Sequence, residues 1–538
     1  MDRLPRIVLG ILLLGGLCAG CEGPGAPSAS QEGAADRPLR RGNGGDPGTL
    51  DPALAQDVHA FNVLSDLYEG LVAEAPDGSV IPGVAASWTV SDDGRSYEFS
   101  LRPDAKWSNG DPVVAADFVR AFRRVAAPET ASAYGFLLQP VKNFESVNAG
   151  REPAAALGVH ALDDRLLLIR LENPATYFLS VLAMPVAAPM HSEASPATSF
   201  REPDRFIGNG AYLLAAREIN GAITLQRNAL YWDADSVHVE NVVYLPITNE
   251  TTELNMYRAG ELDITDSIPS HDLDRLIEER PTEVRIAPRL GLYYLAFDLS
   301  EEPFDDINLR KALSTAIDRQ QIVRLTGRGE QAAFSIVPPG VANHVSASYA
   351  WRDHGEARRI ELAREAYKTA GYDANNPLRI KLTYDVGDVH ERIALAVAAM
   401  WHEVLGVETE LEKMEWMYFL NTRSNRAAWQ VMRFSWLGDY NDPMTFAEIF
   451  RMGSPQNLPL YANHSYDRIL DAAMFELDTD ARIAQMTLAE QTLIDDYPIV
   501  PLYFFVGKHL VKPHITGFEN NVLDRHPSRF LEVSDQDR

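Results

Sequence analysis

Cysteine is nearly absent from this sequence, and its position limits the chemistry of the protein. The only two cysteines, Cys18 and Cys21, fall within the first 21 of 538 residues. Their C-x-x-C spacing is typical of zinc and redox sites. A zinc site needs a second pair of ligands, however, and a redox site needs a β-α-β context, and the surrounding sequence offers neither. We therefore expect no disulfide and no thiol chemistry in residues 22–538.

Basic residues are also in short supply. Lysine and arginine together number 49, against 76 aspartates and glutamates, and the formal net charge is −27. Nucleic acid is excluded as a partner because its phosphates are bound by lysine and arginine. An acidic balance of this size mainly favours solubility.

Long apolar runs are missing after the first 21 residues, so the sequence predicts no membrane span in the rest of the chain. Hydrophobic residues nevertheless make up 46% of the sequence. With about 500 residues in the remaining body, this is enough for two or three lobes, each with its own core.

The motifs of the common enzyme classes are absent as well. The sequence has no G-x-S-x-G, H-E-x-x-H, Walker or dinucleotide-binding motif. Asp439, Asn441 and Pro443 stand where a calcium loop has its first, third and fifth residues, but the glycine at position six and the glutamate at position twelve are missing. We therefore expect no metal, no cofactor and no catalysis; a secreted hydrolase is a remote alternative.

The first residues have the pattern of an export signal. Arg3 and Arg6 precede an apolar run over residues 7–17, which is too short for a permanent membrane helix, and small residues precede Cys21. The segment resembles a bacterial lipoprotein signal, in which this cysteine is lipidated and becomes the new N-terminus. One departure is Cys18, which stands where that class prefers an aliphatic residue.

The segment after the signal is rich in glycine, proline, alanine and serine and shows no apolar periodicity. Such a composition is typical of a flexible linker. We predict a signal peptide over residues 1–20 and a lipidated cysteine with a flexible tether over residues 21–44. The tether would hold a soluble body near a membrane.

Residues 429–446 combine a strand with a turn, and they form the first candidate ligand site. The run to Trp436 is mostly aromatic and apolar with a single arginine, and the D-Y-N-D-P that follows favours a turn. In a cleft, Arg433 would bind a negative ligand group, Asp439 would bind a positive one, and Trp436 would form an apolar wall, which suits a zwitterion. The alternative is a turn-forming Asp439 and a solvated Arg433.

The geometry of a straight strand opposes this arrangement. Side chains alternate along a strand, so Arg433 and Trp436 would point to opposite faces. Both can line one site only if the chain bends between Ser435 and Gly438, and the glycine permits such a bend.

The later half of the chain alternates helix and strand. Apolar residues at helical spacing predict amphipathic helices over residues 305–327, 356–371 and 389–406, and a strand covers residues 380–384. This alternation is typical of α/β layers.

Many sequence segments resemble one known family in the same order. They include L-D-P (50–52), G-V-A-A-S-W (83–88), L-R-P-D-A-K-W-S-N-G-D-P-V (101–113), G-N-G-A-Y-L-L (208–214), R-N-A-L-Y-W-D (227–233) and the segments at 245–265, 303–319 and 386–397. Together with residues 429–446 they resemble the family 5 extracytoplasmic solute-binding proteins of ABC importers, in particular the oligopeptide-binding type. The resemblance covers nearly everything after residue 45.

The resemblance implies an α/β fold of the type II periplasmic-binding-protein kind. This fold is a bilobal clamp with an additional domain, and hinge crossings join its lobes. The segments implied are a discontinuous first lobe (45–68, 194–290 and 507–538), an additional domain (69–193) and a second lobe (291–506).

The resemblance also implies a peptide cleft and its residues. Asp439 would pair with the ligand α-ammonium, and Arg433 and His390 would bind the carboxylate of peptides of suitable length. The remaining positions that match or lie near family cleft residues are Arg423, Trp416, Trp436, Gly438, Tyr134, Asn255 and Val58. One departure is Gln56, which stands where oligopeptide-binding relatives carry a glutamate.

Each of these residues also has an ordinary structural interpretation. His390 is placed to cap the helix that begins after Asp388, and Trp416 suits the core of a strand. Tyr134 would be a loop aromatic and Asn255 an amide on a helix surface. The residues alone do not choose between the two interpretations.

The function implied is a membrane-tethered, monomeric receptor that captures oligopeptides and delivers them to an ABC permease. Peptides of any sequence share two charged ends and a regular backbone, so backbone hydrogen bonds and end charges suffice for broad recognition. The same fold serving murein peptides or dipeptides is the nearest alternative, and nickel complexes or sugars are others.

Overall fold

The computed structural model describes residues 37–194, 203–415, 418–419, 422 and 429–534, with the Asp388 side chain left out. The signal peptide, the lipidation site at Cys21, Trp416 and Arg423 lie outside the described residues.

Strands occur along the whole described chain. In order they are β1 (Leu39–Gly42), β2 (Val72–Glu74), β3 (Val80–Pro82), β4 (Ala85–Val90), β5 (Ser96–Leu101), β6 (Val159–Ala161), β7 (Leu166–Arg170), β8 (Tyr212–Arg217), β9 (Ile223–Arg227), β10 (Asn241–Leu245), β11 (Val284–Phe297), β12 (Gln331–Ala332), β13 (Arg379–Asp385), β14 (Glu408–Met414), β15 (Val431–Leu437), β16 (Ile499–Leu510), β17 (Ile515–Thr516) and β18 (Glu532–Val533).

The α-helices lie mostly between these strands. They are α1 (Val58–Leu67), α2 (Ala115–Ala126), α3 (Phe144–Asn148), α4 (Phe178–Leu182), α5 (Glu250–Ala259), α6 (Leu273–Glu279), α7 (Ile307–Ala316), α8 (Arg319–Thr326), α9 (Glu356–Thr369), α10 (Asp388–Leu405), α11 (Met444–Ala447), α12 (His464–Phe475) and α13 (Thr479–Asp496).

A four-stranded sheet with the order β1-β10-β9-β8 joins the start of the described chain to residues 212–245. Its strand β1 pairs in parallel with β10, and Leu39 and Asn43 are buried. The prediction of a flexible tether through residue 44 is therefore wrong for its last residues. The strand was missed because its partner lies about 200 residues away, and strand pairing at that distance leaves no local signal.

A second four-stranded sheet, of order β4-β5-β7-β6, is antiparallel throughout. Helix α2 lies beside it, and the Asp117 carboxylate accepts hydrogen bonds from the Val114 amide and from Trp107 Nε1. The carboxylate thereby supplies a partner to an amide at the start of the helix, where backbone donors otherwise lack one.

The largest sheet has six strands in the order β12-β16-β11-β15-β13-β14. Its two long central strands, β11 and β16, are antiparallel and rich in aromatic and β-branched residues. Their register shifts between Pro288 and Leu292. The hydrogen-bond ladder between β11 and β16 is therefore irregular at this point. Irregularities of this kind bend and twist a strand locally.

Helices α7, α9 and α10 pack against this sheet through a core of fully buried side chains. Leu313, Tyr367 and Trp401 belong to it, together with Leu295 of β11. The indole of Trp401 is fully buried, and its Nε1 donates to the Leu313 carbonyl at 2.9 Å. Burial of each large apolar side chain stabilises the fold by about 1.5 to 3 kcal/mol.

The predicted elements of this region are confirmed, with one exception. The strand over 380–384 and the helices over 356–371 and 389–406 correspond to β13, α9 and α10. The predicted single helix over 305–327 is divided into α7 and α8, because Ile317 and Asp318 are extended. The Asp318 carboxylate then accepts the Gln321 amide and caps a new helix.

None of the helices in the described part of the chain has the length and apolar character needed to cross a bilayer.

Candidate ligand-binding site

Strand β15 carries the candidate residues Arg433 and Trp436, and its ladder with β11 has no bulge. It pairs with β11 in unbroken register, with Arg433 opposite Leu295 and Trp436 opposite Leu292. Leu295 belongs to the core beneath α7, α9 and α10, whereas Leu292 belongs to the other large core. The bend that would bring the two side chains to one face is therefore absent from β15, and they lie on opposite faces of the sheet.

Arg433 already has an anionic partner within the protein. Its Nε and Nη2 both contact the Asp385 carboxylate, and both side chains are buried. The guanidinium also lies over two rings, 5.7 Å from the centroid of Tyr293 and 5.2 Å from that of Phe419. A ligand carboxylate would thus meet an ion pair and not a free cation.

The sequence analysis did not identify Asp385 as the partner of Arg433, although the sequence contains an indication of it. It is the last residue of β13, directly after the predicted strand, and β13 is the parallel neighbour of β15. An acidic residue at the end of a buried strand is the expected partner for the lone arginine of the adjacent strand. The pairing of these two strands could not be predicted from local pattern.

His390 lies beside this ion pair on the first turn of α10. Its Nδ1 is 3.1 Å from the Tyr293 hydroxyl, and its Nε2 is 3.9 Å from Asp385 Oδ2. Burial, with the Arg433 charge adding to it, lowers the pKa of His390 to about 4. The imidazole is therefore neutral at pH 7 and can offer a ligand a hydrogen bond but not a full positive charge. The residue that caps the helix is Gly387, not His390.

Asp439 follows β15 and its carboxylate has no hydrogen-bond or ion-pair partner among the described residues. Its backbone amide donates to Thr445 Oγ1 at 3.3 Å. Burial raises the pKa of Asp439 to about 6, an effect that Arg525 opposes. A half-buried carboxylate in this condition is stabilised by any cation that reaches it.

The D-Y-N-D-P turn is built by other residues. The Asp442 carboxylate accepts the Met444 amide and forms two hydrogen bonds with Arg482, of 2.8 and 2.9 Å, and both of these side chains are buried. Asn441 accepts the Ala342 amide at 2.9 Å. The turn-forming interpretation therefore applies to the side chains of Asn441 and Asp442, whereas Asp439 contributes only its backbone amide to the turn.

Gly438 is required by close packing. A Cβ at this position would lie 2.9 Å from Thr445 Cγ2 and 3.2 Å from the ring of Phe446. The Gly438 amide donates to the Leu290 carbonyl at 2.9 Å. These contacts hold the turn, and with it Asp439, against the middle of β11, next to the last pair of the β11–β15 ladder.

Tyr134 lies in the electrostatic neighbourhood of Asp439. Burial and the Asp439 charge both raise the pKa of the Tyr134 phenol. Its ring packs edge-on against Phe61 of α1, with 5.3 Å between centroids. Arg525, whose Nη1 donates to Glu74 at 2.6 Å, is the nearby cation. Tyr134 and Asp439 therefore lie close enough for the charge of one to act on the other.

Two of the remaining candidates lie on helices α1 and α5. Val58 is half-buried at the start of α1 and lines a cavity of about 130 Å³. Gln56 is exposed just before it. Asn255 is exposed on α5, as its interpretation as a helix-surface amide predicted. No hydrogen bond or ion pair among the described residues joins these three side chains to Asp439.

Comparison with known proteins identifies the family. The model of bacterial extracellular solute-binding proteins, family 5 (middle region), matches residues 79–457. The chain belongs to this family. One relative within family 5 is the periplasmic oligopeptide-binding protein OppA of Salmonella typhimurium, which is 37% identical over 486 residues, or 89% of each chain.

Solved structures of family 5 proteins share the fold. The unliganded open form of the periplasmic murein tripeptide-binding protein MppA has a TM-score of 0.86 at 34% identity, covering 92% of this chain and 97% of that one. Haemophilus influenzae OppA in complex with the peptide RPPGFSPFR has a TM-score of 0.73 at 33% identity, covering 92% and 98%. The predicted α/β bilobal clamp is thereby confirmed.

The higher TM-score belongs to the unliganded open form of MppA. Identity and coverage are nearly equal for the two structures, so sequence divergence does not explain the difference between the two scores.

Proposed function

We propose that this protein is an extracytoplasmic receptor that binds oligopeptides and delivers them to an ABC permease, without performing chemistry. The observation that carries the proposal is the Asp439 carboxylate. It is half-buried, has no partner among the described residues and has a pKa raised to about 6. It takes no part in the hydrogen bonds of its own turn. A cationic ligand group such as a peptide α-ammonium would supply the missing charge.

The proposed site divides into two poles. Asp439, with Tyr134 near it, binds the ligand N-terminus, while Arg433, Asp385 and His390 form a nearly neutral polar cluster for groups further along the ligand. Trp436 lies on the opposite face of β15 from Arg433 and is not part of this cluster. Recognition then rests on the N-terminal charge and on backbone hydrogen bonds, which all peptides share.

We further propose that the lobes are divided as the family resemblance implies, with crossings near residues 290–291 and 506–507. The register shift between Pro288 and Leu292 supports a hinge here, because an interrupted ladder bends more readily than a regular one. We also propose that the protein acts as a monomer and is tethered to a membrane through lipidated Cys21.

The test of the proposed function is a four-way binding cycle, measured by titration calorimetry. Asp439→Asn should weaken peptide binding by about 2 to 5 kcal/mol, the range for losing one side of a buried charge pair. Acetylation of the peptide N-terminus should cost the wild type a similar amount. In the variant, the same acetylation should cost much less, because the carboxylate that required the ammonium is gone.

The matched control is Asp77→Asn, which removes an almost fully exposed carboxylate from the β2–β3 hairpin. It should leave both affinities unchanged. If the losses from Asp439→Asn and acetylation simply add, the ammonium site lies elsewhere.

Two further measurements address the ligand and the absence of catalysis. The intact mass of a co-purified ligand would separate ordinary from murein peptides. Release of peptide fragments on incubation would contradict a receptor without catalysis.

A further inference from the structure

Three potential metal ligands cluster where β16 meets the C-terminal segment. One ligand atom from each of His509, Asp524 and His526 lies within 4.8 Å of the other two. His509 Nε2 is 2.8 Å from Asp524 Oδ1, and His526 Nε2 is 3.7 Å from the same oxygen. Two ligands of one tetrahedral zinc ion lie about 3.3 Å apart, as bond lengths of about 2 Å require. The observed separations bracket that distance.

His509 is oriented as a metal ligand would be. Its Nδ1 is 2.9 Å from the Thr265 carbonyl oxygen, to which it donates. This hydrogen bond leaves Nε2 directed at Asp524. A ligating histidine in a metal site typically gives its other ring N–H to a backbone carbonyl or a carboxylate, which fixes the tautomer and the ring orientation. Thr265 supplies that contact.

His526 has a buried nitrogen whose nearest charged neighbour, Asp524, is beyond hydrogen-bond distance. Its Nε2 is buried and has no hydrogen-bond partner among the described residues, and the side chain is only 7% exposed. The ring stacks on Phe518 with 3.8 Å between centroids. Buried polar atoms nearly always have a partner, because leaving one unsatisfied costs about 1 to 3 kcal/mol. A bound ion would provide it.

The surroundings of the three side chains include a cation and a cavity. Arg289 Nη1 lies 3.7 Å from Asp524 Oδ2, so it faces the oxygen that is not shared with the histidines. The cavity of about 130 Å³ that Val58 lines also adjoins His509, Asp524 and His526. This volume holds several water molecules, and one of them can complete a coordination shell.

We propose that His509, Asp524 and His526 bind one divalent transition-metal ion of the zinc type, with water as the fourth ligand. Two imidazoles and one carboxylate suit zinc, cobalt or nickel better than calcium or magnesium, which prefer all-oxygen shells. The ion would tie β16, just beyond Gly507, to the segment that follows β17. It would replace the direct His509–Asp524 contact, which is the form taken without metal.

The test uses the mature protein without a polyhistidine tag, freed of metal by a chelator and titrated with Zn²⁺ in a calorimeter. One ion should bind per chain. His526→Asn should weaken binding at least about 100-fold, since losing even an outer-shell partner of a ligand costs 10- to 100-fold. The control His238→Asn should bind as the wild type does, because His238 is exposed and lies 3.4 Å from Glu532, away from the three proposed ligands.

A spectroscopic measurement keeps the proposal testable if His526→Asn fails to fold. Co²⁺ added to the wild type should give the intense visible absorption of a tetrahedral site, and one equivalent of Zn²⁺ should abolish it. The proposal is overturned if Co²⁺ shows only the weak absorption of the hydrated ion. It is equally overturned if a folded His526→Asn binds Zn²⁺ as tightly as the wild type, which would leave His509 and Asp524 as an ordinary ion pair.

Discussion

Two aspartates three residues apart, Asp439 and Asp442, have opposite surroundings. Asp442 is buried and fully paired with Arg482. Asp439 is half-buried and lacks a partner among the described residues, and burial raises its pKa to about 6 from an ordinary 3.8. The Asp442 carboxylate therefore stabilises the fold, whereas the charged Asp439 carboxylate destabilises it.

The free energy of unfolding should reveal this contrast. Asp439→Asn should stabilise the ligand-free protein at pH 7 by about 1 to 3 kcal/mol, because one pKa unit corresponds to about 1.4 kcal/mol. The native carboxyl holds its proton more strongly than the unfolded one, so native stability falls as the pH rises from 3.8 to about 6. The gain from the amide should therefore be complete above pH 6 and absent below pH 4.

Asp442→Asn is the comparison variant. It should destabilise the protein at pH 7 by about 3 to 5 kcal/mol, because Arg482 loses its buried partner. Chemical denaturation of both variants at pH 4 and 7 measures the difference. A destabilising Asp439→Asn at pH 7 would mean that the carboxylate is structural after all.

Asp385 should determine whether the protein prefers a ligand with a free C-terminal carboxylate to one with a terminal amide. With Asp385 neutralising Arg433, the wild type should bind tripeptides with a free carboxylate and with a terminal amide about equally well. In Asp385→Asn the freed guanidinium should favour the free carboxylate by about tenfold or more, as a charge-assisted hydrogen bond would. Competition binding of the two peptide forms measures the ratio. A strong preference for the acid in the wild type would mean that Arg433 exchanges Asp385 for the ligand on closure.

At the scale of elements, the turn after β15 depends on Gly438. Gly438→Ala should destabilise the protein by about 1 to 3 kcal/mol and weaken peptide binding, because the new methyl group meets Thr445 Cγ2 at 2.9 Å. Thermal unfolding and calorimetry measure the two effects. Adding Thr445→Ser removes that methyl while keeping the hydroxyl that accepts the Asp439 amide. The double variant should recover part of both losses, and its failure to do so would place the constraint at Phe446.

The sequence predicted the elements whose periodicity is long and local. Helices α9 and α10 and strand β13 were correctly placed for this reason. Strand β1 was missed because only its distant partner β10 makes it a strand. The break before Asp318 was missed because the apolar spacing continues through it, while the cap that divides α7 from α8 is a single hydrogen bond.

The sequence named individual candidate residues for the site but not their arrangement in space. Composition and family resemblance selected Asp439, Arg433 and His390. The ion pair of Arg433 with Asp385 depends on the neighbouring position of β13 and β15, which are about 45 residues apart and joined by no local rule. The buried, neutral state of His390 follows from the same neighbourhood.

At the scale of the whole molecule, the proposed anchor can be tested independently of the ligand site. Cys21→Ser should release the protein from membranes, because lipidation requires this thiol, and should leave peptide affinity unchanged, because the folded body begins well after it. Fractionation and calorimetry measure the two outcomes. A wild type that is wholly soluble in the native host would show that Cys18, at the unusual position of the signal, prevents processing.

Strand β1 sets how far such an anchored receptor can travel from the lipid. Because the chain is already part of a sheet at Leu39, only residues 22–38 are left to connect the body to Cys21. A fully extended chain spans at most about 3.6 Å per residue, which limits the length of this tether to about 60 Å. The receptor would then diffuse within a layer that extends about 60 Å from the membrane surface. Within this layer the receptor would reach the permease by nearly two-dimensional diffusion. The ligand would have to diffuse into the layer before the receptor could bind it.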